Sequence, residues 1–269
     1  VAERRRGLRE PTTAAKIGTI ESAASALDRA IAADRMLRHL FVPPAQPMPG
    51  IRYAAYYRFA EKHSGGDIVD VYRCSDGAAN LSLTDISGKG VAAALHAGLV
   101  KYGIRAYSTE QHAPKDVLRW LNRFYKESDA FERSDSFASV FFARYRQEQR
   151  QLCYASAGHE GIVLFEPGAD GIALPPTGPL VGVFDDAADL YGDRELRVES
   201  GTTLVAVSDG VTEARYDDEF FGMNRVLETA ARLRDRSLED LVCGLTREAG
   251  RFARNRIVDD MAVLAVTFL

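Results

Sequence analysis

The chain has 269 residues, 46% of them hydrophobic, which is enough to bury a substantial core and makes disorder an unexpected state. Its 38 acidic and 34 basic residues leave a formal charge of -4, which gives no electrostatic reason to expect nucleic acid as a partner. No apolar run approaches the ~20 residues of a membrane span, and Cys74, Cys153 and Cys243 are too scattered for a disulfide framework or a C-x-x-C pair, so a soluble, cytoplasmic protein without membrane insertion is expected.

The start at Val1 rather than Met suggests a fragment whose N-terminal neighbour has been removed. From Thr12 to about Phe41 the composition favours helix, and Ile17, Ile20, Ala24, Leu27 and Ile31 recur at steps of three and four. That spacing makes an apolar seam, suited either to a short coiled coil or to packing on the helix's own domain. Pro43 and Pro44 end the helix, so residues 1–44 read as a helical linker or regulatory segment and residues 45–269 as the main domain.

After Met48-Pro49-Gly50 the texture changes to short β-prone runs. Ile51 to Phe59 alternate, as do Leu81 and Leu83, and Phe137–Tyr145, Gln151–Ala155, Ile162–Phe165, Leu204–Val207 and Met261–Phe268 read as further strands. Helices are expected over Gly90–Tyr107, Pro114–Ser128, Gly222–Leu233 and Leu238–Asn255, the last opened by Ser237 with Asp240 at capping-box spacing. Paired helices between groups of strands imply an α+β fold with mainly antiparallel sheets covered by helices.

Four acidic clusters stand at the ends of apolar β-like runs: Gly65-Gly66-Asp67, Thr84 to Gly90 around Asp85, Val207-Ser208-Asp209-Gly210, and Val258-Asp259-Asp260-Met261. One aspartate beside glycine is usually a turn residue. Four such clusters meeting at one place would repel one another unless cations neutralised them, so a true constellation implies metal. Without clustered His or Cys ligands zinc is disfavoured, and Mn²⁺ or Mg²⁺ is the better match to oxygen donors. Gly66, Gly88 and Gly210 let the backbone approach ions or phosphate, and Lys89 is either a phosphate-steering or a solvated loop residue. A P-loop is excluded because Leu83 stands where its first glycine would be and Gly90-Val91 follow the lysine. His159 sits in a glycine-bounded turn and is expected to be a structural hydrogen-bonding residue, not a proton donor.

Taken in order, Ser64-Gly65-Gly66-Asp67, Thr84-Asp85-Ile86-Ser87-Gly88-Lys89-Gly90-Val91, Ser156-Ala157-Gly158-His159, Gly178 to Val183, Val207 to Ala214 and Asp259-Asp260-Met261 resemble the landmarks of the SpoIIE/RsbU-type branch of the metal-dependent, type 2C-like protein phosphatases. The resemblance covers about residues 36 to 269 and implies two packed antiparallel sheets flanked by helices. It further implies two divalent cations: Asp85 would bridge both, the Ile86 carbonyl would bind the second, Asp209 and Asp259 would complete the first, and Asp67 would lie near the second. Asp260 could exchange roles with Asp259. The implied reaction is hydrolysis of phosphoserine or phosphothreonine on a protein, with phosphorylated STAS-type anti-anti-sigma proteins as substrates in a partner-switching pathway. An upstream sensor or regulator would act through the N-terminal helix, with homodimerisation through its seam as one form. The chain departs from the pattern at Ile68-Val69, where aromatic residues usually follow the Gly-Gly-Asp landmark. The competing expectation is a metal-poor pseudophosphatase that serves as a partner-binding switch.

Overall fold

The computed structural model describes residues 41–43, 46–60, 65–88, 91–110, 113–128, 136–185 and 189–269. These belong to a compact unit spanning Leu40–Leu269. The helix expected from Thr12, but for its final residue, lies outside the described residues, as do Lys89 and Gly90.

The elements follow in the order β1 (Ile51–Arg58), β2 (Ile68–Arg73), β3 (Ala79–Ile86), α1 (Val91–Ser108), α2 (Pro114–Glu127), β4 (Ala138–Arg146), β5 (Gln151–Ala157), β6 (Ile162–Phe165), β7 (Ile172–Ala173), β8 (Arg194–Arg197) and β9 (Thr203–Val207). There follow the single turn α3 (Asp209–Thr212), the hairpin of β10 (Arg215–Tyr216) and β11 (Glu219–Phe220), then α4 (Gly222–Leu233), α5 (Leu238–Phe252) and β12 (Met261–Phe268). One sheet has the order β1-β12-β9-β6-β7 and the other β2-β3-β4-β5-β8, with every neighbouring pair antiparallel.

Period-two alternation builds the layers. Val69, Val71, Leu81, Leu83, Phe141 and Tyr145 turn inward to meet Leu204, Leu264, Val266 and Phe268 of the facing sheet. From the same strands, Ile68, Val140 and Phe142 point outward and pack on Ile104 of α1 and Leu118 and Leu121 of α2. On the opposite face, Val205, Val263 and Ala265 pack on Val226 of α4 and Leu245 of α5. The result is the expected α+β arrangement of two packed antiparallel sheets flanked by helices. Each fully buried Leu, Val or Phe in these layers contributes about 1.5–3 kcal/mol relative to exposure.

Two helix ends show how local chemistry sets the boundaries. Ser237 Oγ accepts a hydrogen bond from the Asp240 amide at 3.0 Å, the cap expected from the sequence. At the other end α5 stops at Phe252, short of Asn255, because Arg254 and Asn255 take left-handed φ values of 50° and 60°. The Asn255 amide then donates to the Gly250 carbonyl at 2.7 Å, closing the final turn. Strand β2 was not expected as a strand: Asp70 interrupts its apolar run, yet it is buried and paired with Arg105 and Lys101 of α1.

Candidate metal centre

Both sheets end at the same cleft. β2 and β3 run antiparallel with Ile68 opposite Thr84, so Asp67, just before β2, and Asp85, near the end of β3, come to one edge. In the facing sheet β12 pairs with β9, with Val263 opposite Val207, which brings Asp209 and Asp259 to the matching edge. The four carboxylates line one cleft of about 390 Å³, together with Gly66, Ile86, Gly88, Ser139, His159, Glu160, Glu213 and others.

Backbone contacts too close for a Cβ hold these turns. A Cβ on Gly66 would come within 2.6 Å of the Ile86 carbonyl oxygen, so glycine there leaves that oxygen room beside Asp67. A Cβ on Gly210 would lie 1.8 Å from the Asp260 carbonyl oxygen, so only glycine lets the Ser208-Asp209-Gly210 turn pack against the Asp259-Asp260 segment. Ser208 adds a clamp: its Oγ accepts from the Ala262 amide at 2.9 Å and donates to the Asp260 carbonyl at 3.4 Å.

The acids are graded in depth. Asp67 is buried at the floor, Asp85 is half-buried, and Asp209 and Asp259 are exposed at the mouth. Burial and then the charge of Asp85 push the Asp67 carboxyl well above the usual carboxylate range. Asp85 is also raised, by burial first, with hydrogen bonding from Asp67 opposing it and the Asp259 charge reinforcing it. Asp209 is pushed up to about 7 by the protein around it and by the charges of Asp85, Asp259 and Glu213. No Lys or Arg lines the cleft among the described residues.

A group of divalent cations suits this donor set. Asp67 Oδ2 is buried and has no hydrogen-bond partner among the described residues, as a ligand oxygen aimed into a cation site would be. Apart from His159 in the wall, the side-chain ligand atoms lining the cleft are oxygens, which matches Mn²⁺ or Mg²⁺ better than zinc. As they stand, however, no three His, Cys, Asp or Glu side chains among the described residues are spaced to hold one ion.

The other candidates separate clearly. Asp260 does not line the cleft: it is buried, its Oδ1 accepts from the Ala60 amide at 2.8 Å, and its Oδ2 accepts from the Tyr57 hydroxyl. Its neighbour Asp259 is the one that faces the cleft, so the two adjacent acids are not interchangeable in position. Gly66 and Gly88 line the cleft; Gly210 lies beside it, in an adjoining hollow. His159 forms part of the wall. Its Nδ1 lies 3.0 Å from Ser139 Oγ, its carbonyl accepts from Ser156 Oγ at 2.6 Å, and burial pushes its pKa down to about 4. Nε2 makes no well-formed hydrogen bond among the described residues, although the nearby Val207 carbonyl favours a proton there. Tyr57 and Glu213 received no role from the sequence; Glu213 stood within a quoted landmark, whereas Tyr57 gave no signal beyond its place in an alternating strand.

Comparison with known proteins places the chain by sequence and by fold. The family model for Stage II sporulation protein E (SpoIIE) matches residues 75–269, well over half of the chain. Phosphoserine phosphatase RsbU of Bacillus subtilis (strain 168) is 33% identical over 143 residues, which cover 52% of this chain and 41% of that protein. The chain spans less than half the length of the curated relatives it matches. Among solved structures, the RsbU and RsbW domains of Rv1364c from Mycobacterium tuberculosis superpose with a TM-score of 0.71 at 22% identity, covering 85% of this chain and 62% of that one. RsbX in complex with magnesium superposes with a TM-score of 0.61 at 16% identity, covering 84% and 99%. These structural likenesses show a shared fold, and the sequence match over residues 75–269 goes further: the chain belongs to the SpoIIE family.

Proposed function

We propose that this domain hydrolyses phosphoserine or phosphothreonine on a protein substrate with the help of two divalent cations, Mn²⁺ or Mg²⁺. The observation that carries the reading is the convergence of Asp67, Asp85, Asp209 and Asp259 in one cleft without a basic residue among the described lining. Such a cluster is stable as carboxylates only when external positive charge joins it.

In this reading Asp85, Asp209 and Asp259, with the more deeply buried Asp67 and the Ile86 carbonyl, would hold the two cations. Bound there, the cations would lower the pKa of water and neutralise the phosphate, the two requirements of direct phosphoryl transfer to water. Gly66 keeps the Ile86 oxygen accessible, and Ser208 and Gly210 fix the distance between the two acidic turns. Cys74 and Cys153 are buried away from the cleft and Cys243 is on α5, so none is placed to act as a nucleophile.

The name of the B. subtilis relative supports phosphoserine chemistry, and likeness to RsbU and to a protein of the bacterial stressosome supports a phosphorylated STAS-domain substrate in partner switching. Residues 1–44 would carry a signal from an upstream sensor or regulator, with or without dimerisation. No described helix is long and apolar enough to cross a membrane. Release of phosphate from a panel of phosphorylated STAS proteins, with and without Mn²⁺, tests the reading; turnover unaffected by chelation would refute it.

A second reading is favoured by one observation, the lack of a ready three-ligand set among the described residues. The domain would then be a catalytically weak partner-binding switch that gains activity only when a regulator draws the acids together. Mn²⁺ titration in a phosphopeptide assay separates the two: a saturable rise in turnover by the isolated chain supports the enzyme, and a flat response supports the switch.

A further inference from the structure

Beside the acidic cleft lies a second hollow of about 240 Å³ that shares Asp209, Glu213 and Asp259 with it. Its other walls are Arg215 and Phe220 of the β10–β11 hairpin and Arg256 and Val258 of the loop between α5 and β12. Two apolar side chains stand uncovered there: Phe220 is 48% and Val258 is 72% exposed. Large exposed apolar groups facing a hollow continuous with a reaction site have the character of a recognition surface.

The hollow is built, not incidental. Arg225 Nη1 donates to the Phe220 carbonyl at 2.9 Å and to the Phe221 carbonyl at 3.1 Å, and the Phe221 amide donates to the Ala214 carbonyl at 2.9 Å. Phe221 is buried against Phe252, which anchors the hairpin to α5. Arg254 lies over the Tyr216 ring at 4.2 Å and ties the second loop to the first. Arg215 is held by the Asp217 carbonyl at 2.6 Å and by Asp218 at 2.9 Å, with its guanidinium over Phe220. The guanidinium of Arg256, by contrast, makes no hydrogen bond or ion pair among the described residues.

We propose that this hollow is a specificity subsite for the polypeptide flanking the phosphorylated residue, taking an acidic side chain on Arg256 and an apolar neighbour between Phe220 and Val258. The inference rests on the phosphatase reading and deepens it. A substrate whose phosphate enters the acidic cleft must continue as polypeptide, and at about 3.3–3.6 Å per residue its first or second neighbour reaches an adjoining hollow. An acidic neighbour would be repelled by Asp209, Glu213 and Asp259 were Arg256 not beside them, so the unengaged guanidinium decides which peptide is accepted.

The test uses the full chain with Mn²⁺ and three substrates: p-nitrophenyl phosphate, a phosphoserine peptide flanked by Glu and Leu, and one of equal length flanked by Lys and Ser. The expected wild-type preference is ~10-fold in kcat/KM for the Glu/Leu peptide, the scale of one charge-assisted hydrogen bond. Arg256→Ala removes that preference and Phe220→Ala reduces it through KM, while both leave p-nitrophenyl phosphate turnover unchanged. Equal use of the two peptides by the wild type, or preference for the Lys/Ser peptide, overturns the subsite while the phosphatase reading stands. So does an equal loss on all three substrates in Arg256→Ala, which would place that arginine on the phosphate itself. A wild-type chain inactive on all three refutes the phosphatase reading, and this inference falls with it.

Discussion

Asp67 and Asp70 are three residues apart at the start of one strand, both are buried, and the protein treats them in opposite ways. Asp70 accepts from Arg105 Nε at 2.6 Å and Nη2 at 2.8 Å, with Lys101 Nζ at 3.5 Å, so its charge is answered from within the chain. Asp67 meets the carboxylates of Asp85 and Asp209 instead, and its Oδ2 has no partner among the described residues. The chain therefore has the means to neutralise a buried acid and does not use it at the cleft. Asp70, inside β2, thus fastens α1 to the sheet, whereas Asp67, just before the strand, is the acid that the proposed cations would neutralise.

The largest effect expected from this contrast is on activity. Asp85→Asn or Asp209→Asn should lower Mn²⁺-dependent phosphopeptide turnover by on the order of 10³-fold or more while the circular dichroism spectrum stays native. Residual activity within tenfold of wild type would erase the distinction between the cleft acids and the ion-paired Asp70.

At Asp70 the effect should fall on stability. Asp70→Asn leaves Lys101 and Arg105 without their carboxylate and should cost about 3 kcal/mol or more in urea unfolding. Asp67→Asn should do the reverse in metal-free protein, raising Tm by ~3 °C because the cost of burying an ionisable carboxyl among other acids is gone. If both substitutions destabilise equally, the two acids are not in opposite environments.

Acid sensitivity supplies a third test away from both aspartates. His159 is buried with a pKa lowered to about 4 against an ordinary 6.5, so protonation favours the unfolded chain. Its stabilising contribution is present above pH 6.5 and is lost as pH falls toward 4, amounting to about 3 kcal/mol over that window. Denaturant melts of wild type and His159→Gln from pH 7 to 4 should converge as pH drops; parallel curves would contradict the burial argument.

The smallest effect concerns the cleft in metal-free protein. Asp209 has a folded pKa raised to about 7, so the folded state favours its protonated form, and stability should decline as pH rises from 4 through 7. Asp209 is partly open to solvent, which limits the amplitude. Added Mn²⁺ should reverse the decline at pH 8, read as Tm, and a metal-independent profile would count against cation binding.

How far the sequence could be read follows the same physics. Strand β12 is legible from end to end because both its faces are apolar and its bounds, Met261 and Phe268, adjoin polar turns or the terminus. Strand β2 is illegible because the partners that let Asp70 be buried, Lys101 and Arg105, lie a helix away. Strand β8, Arg-Glu-Leu-Arg, is an exposed edge stabilised by pairing with β5 and carries no apolar signal. At the site, the four acidic turns are visible as motifs, but adjacent Asp259 and Asp260 cannot be told apart until Tyr57 and Ala60, some 200 residues earlier, are seen to claim Asp260. Glycine spacing was informative because Gly66 and Gly210 meet backbone oxygens too closely for any other residue.

The most direct measurement is calorimetric titration of Mn²⁺ into the metal-free chain at neutral pH, alongside Asp85→Asn and Asp70→Asn. The account predicts two bound ions per wild-type chain, loss of that binding in Asp85→Asn, and the wild-type stoichiometry in folded Asp70→Asn. Wild-type protein that takes up no Mn²⁺, or Asp85→Asn that binds as the wild type does, would contradict the claim that the cleft's acids await cations.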